Sequence, residues 1–212
     1  SFDTLDGARQ FYRGEARGSW NPASLMAGRE VLILGSGPGV AAHRPALEAY
    51  IRRARPLVIA LNTQSSIDPG LIDLRIACHP VRLLADAEAH VGLPQPLITP
   101  ASMLPETVRA ELDGKALLDF GLGIEPGRFE FHETHCVAPT SLVLAYALAV
   151  ATSGQAARIL MAGFDGYAAG DARNDDVETM LATFTGSGAR GPLVSITPTS
   201  YKGLPASSLY AL

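Results

Sequence analysis

The strongest chemical signature lies in one short run, Gly35-Ser36-Gly37-Pro38-Gly39, directly after the apolar stretch Val31-Leu32-Ile33-Leu34. Glycines let a backbone approach a phosphate closely. A helix opening just after them offers unpaired N–H groups and the positive end of its dipole. The run points to a nucleotide or another phosphate-bearing ligand, against the plainer reading of a tight strand-to-helix turn. Two familiar variants do not fit. The NAD fingerprint is G-x-G-x-x-G with an acid ending the second strand, whereas here the spacing is G-x-G-x-G and the second apolar run ends in Asn62. A P-loop places Lys-Ser/Thr after its last glycine, and this run has neither.

Other chemistry-bearing residues recur at the ends of predicted strands. Asn62-Thr63-Gln64 could hydrogen-bond a ribose or base, and Thr140 and Ser141 offer hydroxyls where a helix opens, as anion contacts or as a plain cap. His79 and His135 are the best-placed candidates for acid, base or phosphate donor, with Arg82 one turn into the helix after His79. Arg82 could pair with a phosphate or carboxylate, or sit on the surface. In Gly163-Phe164-Asp165-Gly166-Tyr167, Asp165 could hold a ribose, a cation or a loop, and Tyr167 could stack on a base or donate a proton. Cys78, His79, His132, His135 and Cys136 do not follow zinc-site spacing, so no tightly bound metal is expected. No G-x-S-x-G elbow and no glycosidase-like carboxylate pair stands out.

These residues need a scaffold. Apolar runs at Val31–Leu34, Leu57–Leu61, Leu74–Cys78, Pro96–Thr99, Ala116–Phe120, Arg158–Gly163 and Leu193–Thr197 read as strands, with a further one at Phe129–Phe131. Helical patterns fall over 41–53, 81–89, 105–112, 142–152 and 175–184, and a short helix over Thr4–Tyr12. The segment His132–Cys136 reads as a loop. Alternating strands and helices predict an α/β, Rossmann-like three-layer fold with a mostly parallel sheet in a single domain. Residues 1–29 read as a linker or peripheral segment, and 30–212 as the nucleotide-binding domain.

The 212 residues are 47% hydrophobic and 18% charged, enough apolar content for a buried sheet and too little charge for disorder. The net charge is −4 and no Lys/Arg run exceeds Arg52-Arg53, so no nucleic-acid stripe is present. No apolar stretch reaches bilayer-spanning length. Two cysteines are no disulfide framework, which makes the cytoplasm the default location. The chain starts at Ser1 rather than Met, as a piece of a longer protein would.

The order Gly35–Gly39, Leu61-Asn62-Thr63-Gln64, Thr140-Ser141 and Ile159–Tyr167 resembles the nucleotide-binding core of small bacterial sialyltransferases that use CMP-sugar donors, and the related pterin-pyrophosphokinase-like domains. The resemblance implies donor phosphates against Gly35–Gly39, cytidine near Asn62 and Gln64, nucleotide contacts from Thr140 and Ser141, and a Tyr167 that aids the leaving phosphate. Those transferases carry a catalytic histidine after the last motif. Here no histidine follows His135, which leaves the base unassigned. The whole chain also resembles the C-terminal domain attached to aldolases of the HMG-CoA-lyase or 4-hydroxy-2-oxovalerate type in bacterial surface-polysaccharide pathways. That implies a covalently linked aldolase barrel in the parent chain.

Three functions follow as expectations. The first is a glycosyltransferase-like domain binding a nucleotide such as CMP, or a nucleotide-sugar. The second is a non-catalytic accessory domain that binds a phosphorylated or acidic sugar or makes homo-oligomer contacts. The third is an enzyme using His79 or His135 on a small phosphorylated substrate.

Overall fold

The structure, a computed structural model, describes Tyr12 and residues 15–212. The expected helix over Thr4–Tyr12 lies outside the described residues, save for Tyr12 itself. That side chain is buried and donates its hydroxyl to the Cys78 carbonyl.

The apolar runs form the strands. β1 (Glu30–Leu34), β2 (Leu57–Leu61), β3 (Leu74–Ile76), β4 (Leu97–Thr99), β5 (Leu117–Asp119), β9 (Arg158–Ala162) and β10 (Leu193–Ser195) make one sheet in the order β10-β9-β1-β2-β3-β4-β5. Every pairing in it is parallel. The continuous apolarity of β1 and β2 is what burial on both faces demands. Side chains alternate between the two layers. Val31, Ile33, Leu57, Ile59 and Met161 share one cluster, and Leu32, Leu34, Val58, Ala60 and Leu160 share the other.

On the first face lies α7 (Val143–Ser153), whose residues Leu144–Ala151 are all buried. A helix apolar on every side is a core helix. α8 (Ala172–Gly186) joins that face through Val177, Met180, Leu181 and Phe184. The second face is covered by α2 (Gly39–Ala42) and α3 (Arg44–Ala54), with Val40, Leu47, Tyr50 and Ile51 against the sheet. The sequence predicts one helix here; the chain breaks at His43 because Pro45 lacks an N–H and fits only a helix's first turn. Beyond β3, α4 (Pro80–Ala85), α5 (Ala87–Gly92) and α6 (Glu106–Glu111) pack on Leu97 through Leu83, Ala87 and Val108. The single helix expected over 81–89 bends at Asp86, where φ is −101° and ψ is 9°.

A second sheet, unforeseen in the sequence, follows β5 directly. β6 (Gly121–Ile124), β7 (Glu130–Phe131) and β8 (His135–Ala138) run in the order β6-β8-β7, with β6 and β8 parallel and β7 antiparallel to β8. The segment read as a loop is partly β8. Cys136 and Ala138 are buried in the same cluster as α7, with His135 and Val137 half-buried between them.

The described part of the N-terminal segment is packed onto this body. Ser19 and Trp20 donate backbone N–H bonds to Asp119 O at 2.9 Å. Short helix α1 (Ala23–Met26) buries Met26 completely.

Candidate functional site

The chain builds β1 to β5 outward in one direction, then crosses back to place β9 on the other side of β1. The loops leaving β1 and β9 therefore diverge to opposite faces. In an open parallel sheet such a switch point is where a ligand crevice opens, outside the carboxyl ends of the strands. Both glycine-rich segments singled out in the sequence meet here.

The contact between them is close. Gly35 N–H donates to Ala162 O and Gly37 N–H to Gly163 O, both at 2.8 Å. Gly39 N–H donates to Asp165 Oδ1 at 3.2 Å. A Cβ on Gly37 would lie 2.5 Å from Gly163 O and nearer still to Asp165 Oδ1. Gly163 adopts φ +82°, and a side chain there would lie 2.5 Å from Val40. Glycine is thus required where two backbones touch. Ser36 and Pro38 remain exposed on the crevice side of this joint. Asp165 already serves the glycine loop as an internal acceptor, the loop-holding reading among the three its sequence position offered.

Gln64 is buried, donates its amide Nε2 to Gly35 O and accepts the Ser66 N–H at 2.7 Å. It clamps the loop after β2 to the loop after β1. Asn62, at φ +51°, and Thr63 are half-buried beside it. Arg75, absent from the sequence-derived set, holds this loop from below. Its side chain is fully buried in β3 and no carboxylate pairs with it among the described residues. Nε donates to Gln95 Oε1 at 2.9 Å, and Nη1 to Gln64 O at 2.6 Å and Asn62 O at 3.3 Å. Burial draws its pKa down from the usual arginine value. The only hint in the sequence was one arginine inside an otherwise apolar strand.

Thr140 and Ser141 stand at the start of α7, on the same edge of the sheet. Thr140 Oγ1 accepts the Leu142 N–H at 2.8 Å, and Ser141 O lies 3.5 Å from Cys78 Sγ at the end of β3. His79 follows Cys78 and precedes α4, half-buried. Both cysteines are free and buried, and burial pushes the Cys78 thiol up to about 12, which makes it no nucleophile.

The β9 loop is braced by the chain after β10. Thr197 Oγ1 accepts the Gly163 N–H at 3.0 Å, Thr199 Oγ1 donates to Phe164 O at 2.7 Å, and Ser200 N–H donates to Asp165 O at 2.9 Å. Tyr167 is exposed, with the Arg173 guanidinium 3.9 Å over its ring. Asn174 fixes its backbone N–H and carbonyl at 2.9 and 3.2 Å. Arg173 in turn grips Asp171, holding that carboxyl down to about 2.

Two sequence candidates have partners of their own. Arg82 is exposed on α4 and pairs with Asp86 at 3.4 Å. His135 opens β8, roughly 10 Å of strand before Ala138, given about 3.3 Å per residue. Its ring stacks on His132 at 4.3 Å between centroids. Partial burial, then His132, lowers its pKa. No group of three His, Cys, Asp or Glu side chains is gathered for a metal among the described residues. No helix among them is long and apolar enough to cross a membrane.

Strand order and parallel pairing together define a Rossmann-like α/β domain. No protein-family model matches the chain, and no curated protein matches it. Among solved structures it is similar to the MAf glycosyltransferase from Magnetospirillum magneticum AMB-1, at 12% identity and a TM-score of 0.61. The match covers 100% of this chain and 38% of that one, so the chain spans well under half the neighbour's length. The likeness is one of fold.

Proposed function

We propose that this chain is a glycosyltransferase-type domain that binds a nucleotide-sugar in the crevice between the β1 and β9 loops. The carrying observation is the meeting of Gly35–Gly39 and Gly163–Asp165 at the switch point. The amino-terminal end of α7, with Thr140 and Ser141, lies on the same edge and suits a phosphate by its dipole and hydroxyls. The fold neighbour named as a glycosyltransferase supports the same class. CMP is the nucleotide the sequence resemblance favours, with Asn62 beside the nucleoside and Tyr167 near the leaving phosphate. A surface-glycan setting and an attached aldolase rest on that resemblance alone.

The test is a thermal-shift and calorimetric screen of CMP, CDP, UDP, GDP and ADP. A ligand that binds only the folded state raises Tm with concentration. Ser36→Glu is the informative variant, because Ser36 is exposed and the change adds charge without disturbing the glycine joint. The expected result is a cytidine-nucleotide shift in the wild type that Ser36→Glu abolishes. No shift with any nucleotide at millimolar concentration overturns the reading.

A further inference from the structure

A cavity of about 390 Å³ opens at the opposite, amino-terminal edge of the sheet. It is lined by Arg29, Arg52, Arg55 and Asp73 around an apolar floor that includes Ile51 and Leu71. Arg29 precedes β1, Arg52 lies in the last turn of α3, Arg55 caps that helix, and Asp73 precedes β3.

The charge is unbalanced. Three guanidiniums face one carboxylate, and Asp73 Oδ2 already accepts the Val58 N–H at 2.8 Å. Arg52 reaches only Asp68, at 3.8 Å between exposed side chains. Arg29 uses two of its five N–H donors on the carbonyls of Leu25 and Arg55, at 3.3 and 3.5 Å.

Arg55 adds an independent observation. It ends α3 in the left-handed conformation, φ 50° and ψ 50°. Glycine is the usual residue at that position and adopts it without strain. An arginine there carries a conformational cost that glycine would not, and its side chain lines the cavity.

We infer that this cavity is a second binding site, separate from the switch-point crevice, for a small polyanion whose phosphoryl or carboxylate groups meet the three arginines. Planar guanidiniums pair with both groups in two-pronged fashion. The apolar floor suits a ligand that carries its charge on a carbon frame.

The site is tested by calorimetry on this chain carrying Ser36→Glu, chosen to oppose anion binding at the glycine loop. The probes are inorganic pyrophosphate and citrate. Saturable binding of either supports the site, and the tighter one identifies the group it takes. Arg55→Gly is expected to hold or raise Tm while weakening the probe about tenfold, the loss of one charged hydrogen-bond donor. Arg52→Ala is expected to weaken it similarly. Absence of saturable binding by both probes overturns the inference, as does affinity unchanged in both arginine variants. Because the site lies at the other edge, failure of nucleotide binding at the crevice leaves this result readable.

Discussion

Replacing Gly37 by alanine tests the joint on which the crevice depends. The new methyl would sit 2.5 Å from Gly163 O and 2.9 Å from Gly163 C, with Asp165 Oδ1 closer still. Two of these three atoms are backbone, so no rotamer change relieves them. The β9 loop must move by several tenths of an ångström, away from contacts with Val40, Thr197 and Ser200. Overpacking of this kind costs about 1–3 kcal/mol. Weakening the Gly37–Gly163 and Gly39–Asp165 bonds adds about 1 kcal/mol each. Alanine's smaller unfolded-state entropy returns about 0.4–1 kcal/mol. The net loss is about 2–5 kcal/mol, or roughly 4–18 °C in Tm for a domain of this size. Differential scanning calorimetry measures it. Gly92→Ala is the control, because that glycine ends α5 with nothing within 4 Å of the position its methyl would take, and it should lose no stability. A Gly37→Ala variant melting within about 1–2 °C of wild type, on the same scale, would refute the described contact between the loops. Adding Asp165→Ala should restore only part of the loss, since Gly163 O remains.

Further outcomes follow from other buried groups. His90 is buried, and desolvation holds its pKa down to about 4, against 6.5 when unfolded. Its neutral form is the folded one, so stability is complete above pH 6.5 and falls as pH drops toward 4, by about 3 kcal/mol at most. Urea unfolding at about pH 7.5, above that window, and at about pH 4.5, near its lower end, should show the drop in the wild type and a smaller one in His90→Phe. Arg75→Met should cost about 2–4 kcal/mol, because Gln95 Oε1 and the Gln64 and Asn62 carbonyls lose their donor; a loss under about 1 kcal/mol by chemical denaturation would contradict the assigned bonds. Arg173→Ala should raise the Asp171 pKa toward the ordinary carboxylate value, which carbon-detected NMR titration reads directly.

The parallel sheet was legible because β1, β2 and β9 are apolar almost throughout, the pattern that only burial on both faces explains. The glycine run was legible as a strand-to-helix turn. What it turns against was not, since Asp165 lies 126 residues beyond Gly39 and sequence spacing carries no distance. The second sheet escaped notice for a different reason. The strand expected at Phe129–Phe131 is β7, but the four-residue β6 and β8 are too short for a period to register, and His132 and His135 suggested chemistry instead. Gly18 was equally silent. It reads as part of a connector, yet a Cβ there would strike the backbone of Thr134, Gly121 and Asp119.

Arg75 shows why this edge of the sheet needs more than its surface residues. The crossover from β2 to β3 contains only a three-residue 3-10 turn in place of a full helix, so its carbonyls lack the partners a helix would supply. A buried guanidinium supplies two of them at Asn62 and Gln64. Gln64 then passes the constraint to Gly35, and Gly35 to β9 through Ala162. This edge of the sheet is thus held by bonds running from β3 across β1 to β9. Substituting Arg75 should loosen Asn62 and the glycine loop together, whereas a change at exposed Ser36 should alter only what the crevice accepts.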